Sequence, residues 1–267
     1  MLSAAQAVLE FPGSNRSFEA FGFKVSEGGA HISRTIMLSE IGRLLATTRS
    51  EATMEDYRRA VVDKNVVGKA TGTTRHKTFR HLRELYALSP KVPIFSVYRQ
   101  LTKIDPQSAP LLSMLIAWAR DPLLRATTPA ILRATVGEQI RGGDLQEALT
   151  EAYPHQYSSN NIGKIARNAA SSWTQSGHLT GRAKKIRSRV QPRVPALTFA
   201  LIVGHVAGAA GPQLFSSIWC RLLDLNPSEA RSLAEQAHRQ ELITLKAVGS
   251  VVEISFPRFG HFLKGYQ

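Results

Sequence analysis

The chain has 267 residues, 43% of them apolar, which excludes a disordered tail and allows one large core or two small ones. Thirty-four Lys and Arg face 20 Asp and Glu, giving a formal charge of +14 and a pI near 10.3. A surplus that size repels itself in the compact state and points to a polyanionic partner: DNA, RNA or an acidic membrane surface.

Residues 1–35 mix Phe11, Phe18, Phe21 and Phe23 with Gly, Ser and Asn and read as an arm or a short hairpin. They lack the charged start and long apolar core of a secretory signal, so a cytoplasmic protein is expected. Helical periodicity begins at Ile36, where Ile36, Leu38, Ile41, Leu44 and Leu45 can share a face. Thr53, with Asp56 three residues on, predicts a capped helix running to about Asn65. After a link containing Gly68 and Gly72, Thr73 or Thr74 opens another helix that must end near Pro90. Pro110 opens a helix over LLSMLIAWARD with a wide apolar face, and Pro122 and Pro129 punctuate the stretch after it. Arg120-Asp121 reads as a local ion pair at a helix end. Gly142-Gly143 is the clearest break. The expected organisation is therefore an arm (1–35), a helical domain (36–142) and a second helical domain (143–267).

Beyond that break no acidic residue follows Glu151 until Asp224. Pro195 to Pro212 is strongly apolar, but it is shorter than the ~20 residues that span a bilayer, so it reads as a buried helix. Cys220, the single cysteine, excludes an intramolecular disulfide and reads as a small core residue. Pro227 opens a last helix, and LITLKAV and VVEISF read as strands joined by a tight turn at Gly249-Ser250. The charges of this end are mixed, so it reads as a structural or protein-contact module.

Two elements carry the basic signal. Lys69, Thr73, Thr74, Arg75, Lys77 and Arg80 load the start and one side of the helix after Gly72, with Phe79, Leu82, Leu85 and Tyr86 opposite. A compact helix followed by a helix with a basic N-terminal end is the helix-turn-helix arrangement, whose second helix enters the major groove. Positive charge there opposes the helix dipole, costing a few tenths of a kcal/mol, roughly, unless an anion compensates. The second element runs from Tyr157 to Arg189. A capped helix carries Lys164 and Arg167, stops at Ser176-Gly177, and leads through His178-Leu179-Thr180 into GRAKKIRSR, with Arg182, Lys184, Lys185, Arg187 and Arg189. Helix, glycine stop, short strand and basic loop read as a winged helix; a solvated linker or a localisation-like patch is the alternative.

Phosphate-binding loops, nucleophile elbows and zinc-protease motifs are absent. The eight histidines are dispersed, and His76 and His81 are not spaced as a same-face metal pair. No catalytic residue, metal or cofactor is therefore expected. The segments DKNVVGKATGTTRHKTFRHLRELYAL, LLSMLIAWARDPLLR and SSNNIGKIARNAASSWTQSGHL resemble the BrxA family of BREX phage-defence systems, over roughly Ile36 to Arg189. The resemblance implies helical, winged-helix-like modules, non-catalytic DNA binding and work beside other BREX proteins, a methyltransferase and an ATPase. The C-terminal helix and hairpin lie beyond the family pattern.

The expectation is a mainly α protein with helix-turn-helix or winged-helix-like modules and short β-hairpin wings, binding double-stranded DNA. Six phosphate contacts would make affinity fall about three decades between ~50 and ~200 mM salt. Few amides lie on the basic helices, Asn160, Asn161 and Asn168 excepted, so weak sequence preference is expected. An RNA binder, or a scaffold subunit of a protein complex, is the alternative.

Overall fold

Caps and prolines set where the helices begin. A computed structural model describes residues 16–248 and 251–266; the first 15 residues and the expected Gly249-Ser250 turn lie outside them. The described chain is mainly helical, with two small antiparallel sheets. It opens with α1 (Arg16–Phe21), a 3-10 turn (Ala30–Ile32) and α2 (Leu38–Thr47). Within the stretch read as an arm, Phe18, Phe21 and Phe23 are buried in the common core.

Thr53 caps α3 (Met54–Arg58) as its spacing predicts: Asp56 N–H donates to Thr53 Oγ1, and Thr53 N–H donates to the Asp56 carboxylate. The helix does not continue regularly to Asn65. It widens into a π turn over Arg59–Asp63, and Asn65 takes a left-handed backbone. The next helix, α4 (Gly72–Tyr86), starts earlier than Thr73. Thr71 is its cap, accepting from Thr74 N–H, and the helix stops at two left-handed residues, Ala87 and Leu88. Prolines then sit in the first turn of α5 (Pro93–Ile104), α6 (Ala109–Arg120), α7 (Pro122–Ala126) and α8 (Thr128–Arg133), where a missing N–H leaves no bond unmade.

After α8 come β1 (Gln139–Ile140), α9 (Gly142–Ala152), α10 (Ser159–Gln175), β2 (Leu179–Thr180) and β3 (Lys185–Arg187). The central strand is β3, antiparallel to both others, with Gln139 opposite Ile186 and Leu179 opposite Arg187. Gly142, at the expected domain boundary, is the first residue of α9. The strand before it pairs with a strand after it, and buried residues from both sides form one core.

The apolar segment at Pro195 is α11 (Val194–Val206), in which every residue but His205 is buried. A helix that is apolar all round must be covered all round. After α12 (Gln213–Ser216), α13 (Ile218–Arg221) and α14 (Pro227–Arg239) pack on it, as do α5 and α6. Among the described residues no helix is long and apolar enough to cross a membrane. Trp118 and Trp219 meet edge to face, 4.7 Å between centroids, while Trp118 Nε1 donates to Thr128 Oγ1 at 2.8 Å. Cys220 is buried, and burial pushes its thiol up to about 12. The chain closes with the hairpin β4 (Thr244–Val248) and β5 (Val251–Ser255), then α15 (Gly260–Leu263).

Candidate nucleic-acid interface

On α4 the expected division of faces holds in its main lines. Leu82, Leu85 and Tyr86 are buried and Phe79 is partly so, whereas Thr73, Lys77 and Arg80 are exposed beside His76 and Arg83. Thr74 is half-buried. Arg75 turns back, its Nη1 donating to Val62 O at 2.9 Å, so it fastens α4 to the π turn. Lys69 is also withdrawn, 2.7 Å from the Glu40 carboxylate. Lys77 and Arg80 are therefore the expected contact residues that keep an outward cation with no ion pair among the described residues.

The second basic element is built by α10, β2 and β3. Ser158 Oγ accepts from Asn161 N–H and caps α10. Ile162, Ile165, Ala166, Ala169 and Trp173 then face inward, and Lys164 and Arg167 outward. Asn160 is exposed at the same end, but Asn168 donates to His31 O at 2.8 Å and is occupied. Between β2 and β3 the loop carries Arg182 and Lys184, both exposed. Lys185 is half-buried, and its Nζ closes the loop onto Gly181 O at 2.8 Å. Gly181 has φ +86°, and a Cβ there would lie 2.1 Å from Lys184 O, so the tight turn requires glycine.

Two further expected contact residues hold partners within the molecule. Arg187 is only 5% exposed: it forms an ion pair with Asp224 and donates to Ile131 O at 3.1 Å. Asp224, where the long basic interval ends, also accepts Val190 N–H at 2.9 Å. A carboxylate at such depth requires a charge partner, and Arg187 supplies it. Arg189 is exposed but paired with Glu229. The short strand β1 adds what sequence reasoning missed: exposed Arg133 and Arg141 flank it, and Ile140 pairs with Lys185. A two-residue strand has no periodicity by which to find it.

Arg120 and Asp121 form no ion pair. The Arg120 guanidinium donates to Glu84 O and Gly22 O, while the Asp121 carboxylate caps α7 and meets His31. His31 Nδ1 lies 2.8 Å from Asp121 Oδ2, and Nε2 lies 2.8 Å from Ser172 Oγ. The connectivity is that of a nucleophilic triad, but the surroundings are not. All three residues are 0% exposed. Ser172 Oγ also donates its proton to Asn168 O at 2.9 Å and accepts Ile36 N–H at 3.0 Å, so only its remaining lone pair faces the imidazole. The network ties the N-terminal turn to α7 and α10. Burial pushes the Asp121 carboxyl up, but His31 and the surrounding N–H donors outweigh it and hold it below the usual carboxylate range. Among the described residues no three His, Cys, Asp or Glu side chains converge to hold a metal.

His178, which precedes β2, is buried between Ser176 Oγ at 2.8 Å and Leu222 O at 2.7 Å, and burial holds its pKa down to about 4. The unfolded chain, near 6.5, takes up that proton first. Stability is thus fully present above pH 6.5 and declines as pH falls toward 4, by about 3 kcal/mol. Urea unfolding at pH 7 and pH 4.5 should show this loss in the parent and not in His178→Gln; equal losses in both would contradict it.

No protein-family model matches the chain, and no curated protein sequence matches it.

Proposed function

We propose that the chain is a non-catalytic protein that binds double-stranded DNA through the unit from α7 to β3. Its order of helices, strand, two helices, strand, loop and strand, with β3 central, supports a winged-helix reading. In that reading α10 enters the major groove and the Gly181–Lys184 loop rests on the phosphate backbone. The observation that carries it is the exposure of Lys164, Arg167, Arg182 and Lys184 on that helix and loop, without ion pairs among the described residues. They lie within a stretch of chain that has no carboxylate. Lys77 and Arg80 on α4 form an auxiliary contact surface that does not hold DNA without the first. Few amides are free to read base edges, so binding is governed by backbone charge and sequence preference is weak. On the resemblance to the BrxA family, the protein serves as an accessory of a BREX-type phage-defence system, alongside its other proteins.

The test is fluorescence anisotropy with labelled duplex DNA, single-stranded DNA and duplex RNA. Four phosphate contacts make duplex affinity fall about two decades between ~50 and ~200 mM salt. Lys164→Glu, Arg167→Glu, Arg182→Glu and Lys184→Glu together should abolish binding with the melting temperature unchanged. An absence of duplex binding at low salt, or binding that survives all four reversals, would refute the proposal.

A further inference from the structure

We infer that the apolar trough between α2 and α5 is a docking site for an acidic amphipathic helix of a partner protein. The trough has a volume of about 720 Å³ and is floored by Leu38, Leu45 and Ala46 of α2 and by Pro106 and Pro110 opposite. A second hollow of about 700 Å³ shares Ser50, Arg99 and Lys103 with it and continues past Phe95, Ile104 and Phe262. A single small ligand fills about 300–1,000 Å³, so two adjoining open hollows suit an elongated occupant. Ile104, 39% exposed, adds apolar surface along this path.

Charge selects the occupant. Arg49, Arg99 and Lys103 line the first trough, and no Asp or Glu does. The second hollow adds Arg258 against a single carboxylate, Glu51. Arg49 and Lys103 are exposed and make no ion pair among the described residues, and Arg99 donates to Thr48 O, Arg49 O and the Tyr57 hydroxyl. Cations around an apolar floor match a helix with one leucine-like stripe flanked by carboxylates. A nucleic-acid backbone would instead set its phosphates against Leu38, Leu45 and Pro106. Gly42 is consistent with a docked helix. It lies inside α2 on the trough wall, and a Cβ there would meet nothing within 4 Å. Glycine inside a helix costs about 1 kcal/mol relative to alanine, and no contact among the described residues accounts for it here. Close approach of another backbone does.

The experiment titrates the full chain into two labelled synthetic helices of about 18 residues, long enough to cross both hollows. They share one leucine stripe and differ in carrying glutamate or lysine on the polar face. The glutamate peptide should bind at least about ten-fold tighter, and its advantage should shrink with salt. Gly42→Phe, which fills the trough, should weaken it at least about ten-fold, and Gly42→Ala, which holds the docked backbone off by one methyl group, should weaken it less. Arg49→Glu with Lys103→Glu should reverse the peptide preference. If Gly42→Phe lowers the melting temperature, Ala46→Trp, at another exposed trough position, serves in its place. Duplex DNA binding should be unchanged in each variant. Equal affinity for the two peptides, binding of neither, or binding indifferent to the trough-filling variant would overturn the proposal. So would loss of DNA binding on filling the trough, which would make it nucleic-acid surface. Self-association abolished by Gly42→Phe would assign the trough to a second copy and overturn it as well.

Discussion

Asp121→Ala is expected to destabilise the fold by about 3–5 kcal/mol, a large share of what holds a protein of this size together. Four donors lose their acceptor at once: His31 N–H at 3.1 Å, His31 Nδ1 at 2.8 Å, Leu123 N–H at 3.0 Å and Leu124 N–H at 3.1 Å. Water cannot easily replace the carboxylate, because His31 and Asp121 are sealed from solvent. The carboxylate is also tightly enclosed: a Cβ at Gly29 would lie 2.2 Å from Asp121 Oδ1, so Gly29→Ala should be damaging too. Asp121→Asn keeps the shape and part of the helix cap and should cost about half as much. The pH dependence has a definite sign. The folded carboxyl titrates below the unfolded value near 3.8, so its contribution is fully present above that value. It is lost as pH falls through the folded value, and the parent should therefore lose more stability on strong acidification than Asp121→Asn. Urea unfolding followed by circular dichroism measures both effects. A loss below about 1 kcal/mol in Asp121→Ala would mean that the site relaxes around the missing group.

The second large effect concerns Arg187, which separates structural arginines in the basic interval from those of the proposed contact surface. Asp224→Ala leaves a buried guanidinium without its counterion and should cost about 3–5 kcal/mol. Arg187→Met leaves the carboxylate, with a side chain only 10% exposed, in the same position and should cost a similar amount. The two losses should not add. Arg187→Met combined with Asp224→Asn should recover much of the damage, since neither buried charge then remains, and a double-mutant cycle measures the coupling. DNA affinity supplies the contrast. The folded fraction of Arg187→Met should bind duplex DNA like the parent, whereas Arg182→Ala should bind less tightly at unchanged stability. If Arg187→Met reduced affinity without reducing stability, Arg187 would belong to the contact surface.

Local signals made part of this molecule legible. Thr53 with Asp56 marks a helix start because the box is closed within four residues. The inward faces of α4 and α10 follow from the 3.6-residue period, and the uniformly apolar α11 could only be interior. The features that remained hidden depend on distant residues. Arg187 reads as one more basic loop residue until Asp224, 37 positions on, is brought beside it. Arg120 and Asp121 are neighbours in sequence, but α6 ends between them and Asp121 has an extended backbone, so the two side chains leave in different directions. The sheet that carries the basic loop needs β1, whose two residues are too few for any pattern. Lys69 and Arg189 each look free until Glu40 and Glu229 are placed.

The bond between His31 and Ser172 spans 141 residues of chain. A ribosome adding about 5–20 residues per second needs roughly seven to thirty seconds to make the second partner after the first. Throughout that interval the turn at Ala30–Ile32 lacks its anchor in α10, and the neighbouring Phe18, Phe21 and Phe23 await much of the core that will cover them. The segment from Phe18 to Ile32 is thus among the last parts to settle. A nascent chain halted before Ser172 should present these phenylalanines to chaperones, and one that has also supplied Trp219 and Tyr266, which pack on Phe23 and Phe21, should withdraw them.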